Sequence, residues 1–286
     1  MASPSFSDLF ARIRSSPADH ATTSAKYQDL KRSAQSLVDA SALRDTNGAP
    51  VDFGPFGKIT FPYHKMGAID SLDLFGIDEL TLFAYYDANR SRYRRGLDIG
   101  ANIGLHSIVM SKCGFEVTAY EPDPVHFALL RRNLSINGAA SVKPVEAAVS
   151  NRCGVTEFVR VLGNTTGSHI AGAKAAPYGE LERFDVRVDD VAELAGAVDL
   201  IKLDAEGHEV EILLGIPTSE FSHCDVILEV GTPVNAQRIY ERFHDSGLNL
   251  FSQKTGWGRV ESPTGVPTSH KEGSLYITRS PVMMWA

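Results

Sequence analysis

Apolar positions along the 286-residue chain fall into two regimes. Up to about residue 93 they recur at helical spacing in a polar background: Leu9 and Ile13, Leu30 and Leu37, then Leu72, Phe75, Leu80, Phe83, Ala84 and Tyr86. Apolar residues three or four apart share one helix face, so helices are predicted within residues 1–50 and again over 70–93. Between them VDFGPFGKITFPY, residues 51–63, mixes Gly, Pro and aromatics in a hairpin or loop pattern. The basic run Arg90 to Arg95 then predicts a solvated helix end.

From Gly96 onward short apolar runs alternate with helix-like stretches. GLDIG, FEVTAYE, SVKPVEAAV, VDLIKLD and CDVILEV are the runs; the helix candidates lie at 104–113, 124–137, 207–214 and 235–246. Runs apolar on both faces predict a parallel sheet covered by helices on each side. Two later runs, LNLFSQ and SLYITR, have no helical stretch between them and predict an antiparallel pair. The expected fold is therefore α/β: a doubly wound, mostly parallel seven-stranded sheet with an antiparallel last strand. Residues 1–94 are expected to be an N-terminal helical and hairpin extension, and residues 95–286 the principal domain.

Composition narrows the function. The formal net charge of −7 disfavours a broad nucleic-acid footprint, which needs a basic surface to neutralise phosphates. Three distant cysteines, Cys113, Cys153 and Cys224, read as reduced thiols, and no apolar stretch is long enough for a membrane span. The start, MASPSFSDLFARIRSS, lacks the apolar core of a secretory signal. A cytoplasmic enzyme is expected.

Chemistry concentrates at the predicted strand ends. The loop holding Asp98, Gly100, Ala101, Asn102 and Gly104 turns from the first strand into a helix with spacing G-x-x-x-G, so it lacks the glycines that admit a pyrophosphate in dinucleotide-binding loops. Asp98 would repel a phosphate and attract a cation such as an α-ammonium. Glu121, beside Pro122 at the tip of the second strand, lies 121 − 100 = 21 residues after Gly100, where an acid can accept from both ribose hydroxyls. A nucleoside without phosphates and with a cationic amino-acid tail fits: S-adenosylmethionine. Glu146 and Ala147, ending the third run, are candidates for the adenine rim.

The fourth run leads into Lys202, Asp204, Glu206, Gly207, His208 and Glu209, of which Lys202 is a candidate for the catalytic group and Asp204 for both that group and the cofactor site. Alternation puts Lys202 and Asp204 on one strand face, and a lysine inside a covered strand requires an acid partner such as Asp204 or Asp98. Glu209 suits the first turn of the next helix. Glu229, ending the fifth run, lies across the cleft; with Asp204 and Glu206 it is compatible with a divalent metal, but the spacing carries no metal signature and none is expected.

GLDIGANIG, YEPDP and DLIKLDAEGHEVEILLG resemble the FkbM family of S-adenosylmethionine-dependent methyltransferases, over about residues 96–230. The resemblance implies the Rossmann-like class I methyltransferase fold, with Asp98, Gly100, Asn102 and Gly104 holding the methionine portion and Glu121 the ribose. It also implies O-methylation of a small-molecule or glycan acceptor, such as a sugar or polyketide hydroxyl. Proton removal then falls to Glu206 as the favoured base, with His208, whose ordinary pKa suits the task, and Asp204 as alternatives. His169, in the insert GNTTGSHIAG, is a candidate from a loop over the site. The competing classes are a nicotinamide-dependent oxidoreductase, which the missing phosphate-binding glycines disfavour, and a non-catalytic binding protein.

Overall fold

The computed structural model describes residues 4–174 and 179–285. Its central sheet contains seven strands of at least four residues: β1 (Arg95–Ile99), β2 (Glu116–Tyr120), β3 (Val142–Val145), β4 (Leu200–Leu203), β5 (Asp225–Glu229), β6 (Asn249–Ser252) and β7 (Ser274–Thr278). Their order across the sheet is β6-β7-β5-β4-β1-β2-β3, and the two-residue strand Gly258–Arg259 adds an eighth at the β6 edge. The pairs β4–β5, β4–β1, β1–β2 and β2–β3 are parallel, whereas β7 runs antiparallel to both β5 and β6. This is the doubly wound sheet with an antiparallel last strand that the apolar runs predict.

Among the described residues eight α-helices accompany it: α1 (Phe6–Ser15), α2 (Ala25–Ala40), α3 (Ile77–Ala88), α4 (Leu105–Lys112), α5 (Pro124–Ile136), α6 (Val191–Ala195), α7 (Glu209–Gly215) and α8 (Pro233–Phe243). Side-chain alternation in the strands divides the core in two. On one face Val117, Ala119, Leu200, Ile227 and Tyr276 pack with α1 to α5. On the other Leu97, Ile99, Ile201, Leu203, Val226 and Leu228 pack with α6, α7 and α8. Asp98, Lys202 and Glu229 alternate onto the first face, under α3 and α4. Helix starts follow local chemistry: Asp123 accepts from Val125 N–H at 2.8 Å ahead of Pro124, and Thr232 accepts from Asn235 N–H ahead of Pro233.

Two arrangements differ from the sequence reading. SVKPVEAAV is not one strand: it splits at Glu146–Ala147 into β3 and Ala148–Ser150, which belongs to a second, four-stranded sheet with Gly154–Val161, His169–Ile170 and Leu181–Asp190. The basic run is not simply solvated. The Arg90 guanidinium meets Asp87 and the carbonyls of Pro55 and Lys112, and Arg92 bonds Asp225 at 2.8 Å. The Asp225 carboxylate also accepts from Tyr93 and Tyr276 hydroxyls at 2.8 and 2.7 Å, and the Tyr85 hydroxyl donates to that of Tyr276 at 2.8 Å. This cluster fastens α3 to the amino end of β5. The N-terminal segment thus shares one continuous core with the sheet, through Phe10, Phe53, Phe83 and Tyr86.

Candidate functional site

The carboxyl ends of β1, β2, β4 and β5 open into one cavity of about 1100 Å³. Gly100, Asn102, Glu121, Pro122, Ala147, Asp204, Glu206 and Glu229 line it. Six of the residues singled out for a cofactor therefore meet there: Gly100, Asn102, Glu121, Pro122, Ala147 and Asp204. Asp98, Ala101, Gly104 and Glu146 are not in the lining. Glu146 is exposed, whereas Ala147, beside it, is fully buried.

The loop after β1 is clamped between its neighbours. Gly100 and Ala101 donate N–H bonds to the Tyr120 carbonyl at 3.0 and 2.9 Å. Gly100 has φ +75°, and a Cβ there would lie 1.7 Å from the Asp204 carbonyl oxygen, so only glycine fits. Asn102, also at positive φ, donates its N–H to Glu121 Oε2 at 2.8 Å, and Asp123 N–H reaches Glu121 Oε1 at 2.8 Å. Burial pushes the Glu121 carboxyl up to about 8 against the pull of those two N–H groups. The Asn102 Oδ1 atom is buried and has no hydrogen-bond partner among the described residues.

Asp98 is sealed beneath this loop. Ser107 Oγ donates to its Oδ2 at 2.6 Å, and Lys202 Nζ lies 3.9 Å from its Oδ1. Lys202 also meets Asp204 at 3.2 Å. Burial opposes the ammonium, but Asp204, Asp98 and Glu79 outweigh it and hold Lys202 above the ordinary lysine range. Both acid partners expected for Lys202 are in place.

Past β4 the chain bends sharply, with Glu206 and Gly207 at φ +52° and +101°. The Glu209 carboxylate accepts from Ala205 N–H at 2.9 Å and from Gly207 N–H at 2.9 Å, tying the bend to α7. Glu209 does stand in the first turn of α7, as expected, but its hold on the bend is a further role. Glu206 faces the cavity with Lys174 at 2.7 Å, and burial, reinforced by Asp204, pushes its carboxyl up to about 7. His208 is not in the lining: its Nε2 meets Ser150 Oγ at 2.9 Å, and burial holds its pKa below the ordinary value. His169 is buried in the second sheet, its Nδ1 against the Gly167 carbonyl at 3.0 Å, and likewise does not line the cavity.

The other wall is legible only in part: the insert GNTTGSHIAG, expected over the site, supplies Asn164 to Ser168, whereas no sequence pattern singles out Ile69, Asp73, Leu74 and Glu79 of the N-terminal segment. Backbone bonds join the two: Ala68 N–H to the Gly163 carbonyl at 2.7 Å, and Thr165 N–H to the Met66 carbonyl at 2.9 Å. Gly67, at φ +96°, allows this approach, since a Cβ would lie 2.2 Å from the Gly163 oxygen. Glu79 sits in the first turn of α3 and takes a 2.6 Å bond from His106 Nε2 in the first turn of α4. No repeat or motif links residue 79 to residue 106, so only the fold could reveal the pair.

A family model described as "Methyltransferase FkbM domain" matches residues 98–252, more than half of the chain. The chain belongs to the FkbM methyltransferase family. Three curated methyltransferases are similar to this chain. Methyltransferase sdnD of Sordaria araneosa is 26% identical over 56% of this chain and 76% of its own length. Hexuronic acid methyltransferase AglP of Haloferax volcanii is 28% identical over 53% of this chain and 62% of its own. The 31-O-demethyl-FK506 methyltransferase FkbM of Streptomyces tacrolimicus is 29% identical over 46% and 64%. Two of the three are thus spanned over less than two thirds of their length. The match removes the oxidoreductase alternative: this is a methyltransferase. Among the described residues no helix of this FkbM enzyme is long and apolar enough to cross a membrane.

Proposed function

We propose that the cavity binds S-adenosylmethionine and directs its methyl group to a hydroxyl of a small-molecule or glycan acceptor, with Glu206 taking the hydroxyl proton. The observation that carries this reading is the joining of Asn102 and Glu121 at the lining of one cavity with Asp204 and Glu206. The residues suit that cofactor. Glu121 offers a buried carboxylate for ribose hydroxyls, Asn102 Oδ1 is an acceptor lacking a donor among the described residues, and the loop passes close to β4 because Gly100 has no side chain. Ala147 leaves room for a flat ring.

When bound, the cofactor supplies an electrophilic methyl group on a cationic sulfur. The chain's part is to align the acceptor oxygen, exclude water and hold the proton. Glu206, with its carboxyl near 7, is ionised for a useful fraction of the time at neutral pH yet basic enough to accept a proton, and the Lys174 ammonium beside it fixes its direction. Asp204 and Lys202 would orient the strand tip rather than transfer protons. His208, bonded to Ser150 outside the lining, is the weaker choice for the base. An oxygen acceptor is favoured by the relative whose name specifies a 31-O-demethyl substrate.

Calorimetry with S-adenosylmethionine, S-adenosylhomocysteine and NADH tests the cofactor. The first two should bind and NADH should not; binding of NADH alone would sink the proposal. For the base, Glu206→Gln should lower turnover by about 100-fold or more, the scale of a general-base contribution, with cofactor affinity unchanged. Undiminished turnover would remove Glu206 from this role.

A further inference from the structure

The sequence reading sends a cationic α-ammonium to Asp98, but that carboxylate is fully buried, bonded to Ser107 and beside Lys202, and does not line the cavity. Another carboxylate is better situated. Glu79 lines the cavity together with Ile99, Gly100 and Asn102, and it shares a smaller void of about 10 Å³ with Lys202, Asp204 and Glu229. Its Oε2 is fixed by His106 Nε2 at 2.6 Å, and His106 Nδ1 is in turn held by the Tyr86 hydroxyl at 3.0 Å. The other oxygen, Oε1, takes no hydrogen bond among the described residues. His106 lies two positions past Gly104, so this pair sets Glu79 against the start of the helix that the glycine loop opens. Burial works against its charge, yet His106 and Lys202 keep the carboxyl below its ordinary value, so it is anionic at neutral pH.

Resting on the cofactor reading above, we infer that Glu79, supplied by the N-terminal segment, binds the α-ammonium of the cofactor's amino-acid portion. His106 is its positioning residue. The geometry carries this: an accessible, oriented carboxylate at the glycine-loop end of the cavity, beside a sealed one already engaged with a lysine. Asp204 lines the same end, paired with Lys202 at 3.2 Å.

Calorimetric titration of the full chain with S-adenosylhomocysteine and with 5′-methylthioadenosine, which lacks the amino-acid portion, tests the assignment. Glu79→Gln should weaken S-adenosylhomocysteine by roughly 10- to 100-fold, the range of a charge-assisted hydrogen bond, and leave 5′-methylthioadenosine unchanged. His106→Ala should produce the same split at smaller size, which a merely structural role would not. Against misfolding of the variants, the wild-type chain is titrated with the S-adenosylhomocysteine analogue whose α-amino group is replaced by hydrogen; it should bind more weakly than the parent. Unchanged S-adenosylhomocysteine affinity in Glu79→Gln, with or without lost turnover, overturns the inference, as does equal weakening of both ligands. A wild-type chain that binds neither ligand would instead bring down the cofactor reading itself.

Discussion

A carboxyl pushed up to about 8 by burial is half protonated at that pH, yet a ribose offers it two hydroxyl donors. Hydrogen bonding to the ionised form favours that form, so ligand binding at Glu121 should release a proton. The sign follows: S-adenosylhomocysteine affinity rises as pH increases through about 8 and levels off above it, and Glu121→Gln flattens the dependence while lowering affinity. Calorimetry across pH 6 to 9 in two buffers of different ionisation enthalpy reads both the affinity and the released proton. A flat profile in the wild type would mean that the carboxyl is not at the ligand. Glu121 and Gly100 were legible in the sequence because their work depends on spacing along the chain. Glu79 and the burial of Asp98 were not, because each depends on which helix covers the sheet, a through-space matter that no local pattern encodes.

At the scale of elements, apolar runs found every long strand of the central sheet and the long helices after Gly96, since a doubly covered strand must be apolar on both sides. The second sheet escaped notice for the complementary reason. Its longest strand, LERFDVRVDD, is half exposed and polar on one side, and Ala148–Ser150 continues directly from the run that forms β3. The bend between β4 and α7 carries Glu206, the proposed base, and the Glu209 carboxylate closes it. Glu209→Ala leaves the Ala205 and Gly207 N–H groups without their partner, so the chain should lose about 1–3 kcal/mol of stability. Turnover should fall more than cofactor affinity, because Glu206 loses its support. Urea unfolding monitored by circular dichroism, run beside steady-state assays, separates the two effects; an unaltered midpoint would contradict the bracing role.

For the molecule as a whole, the N-terminal segment is part of the core as well as the source of the proposed Glu79 contact. All but four of the twelve residues of α3 are buried, from Ile77 to Tyr86, and Tyr85 joins the hydroxyl cluster around Asp225. A chain starting at Arg95 would expose the sheet face of Val117, Ala119, Leu200, Ile227 and Tyr276, which now packs with N-terminal aromatics such as Phe83 and Tyr86, and it would lack Glu79. Such a truncation should bind hydrophobic dye, lose its cooperative thermal transition and fail to bind S-adenosylhomocysteine. A cooperative transition together with retained binding would show that residues 95–286 stand alone. The division at residue 94 is visible in the sequence as a change of periodicity, but a change of periodicity marks where helices give way to strands and does not mark where a core ends.

The wall opposite the strand tips is joined through main-chain atoms, Ala68 to Gly163 and Thr165 to Met66, across nearly a hundred residues. Bonds of this kind are indifferent to most side chains, apart from the requirement for glycine at position 67. Substitutions at Ile69, Leu74 or Thr166 can therefore reshape what the cavity admits while the two segments stay in register. Residues 69 and 74 also lie outside the matched family domain. On the proposed reading, acceptor preference can drift by single-residue change at these positions while the carboxylates proposed for the methyl donor stay in place.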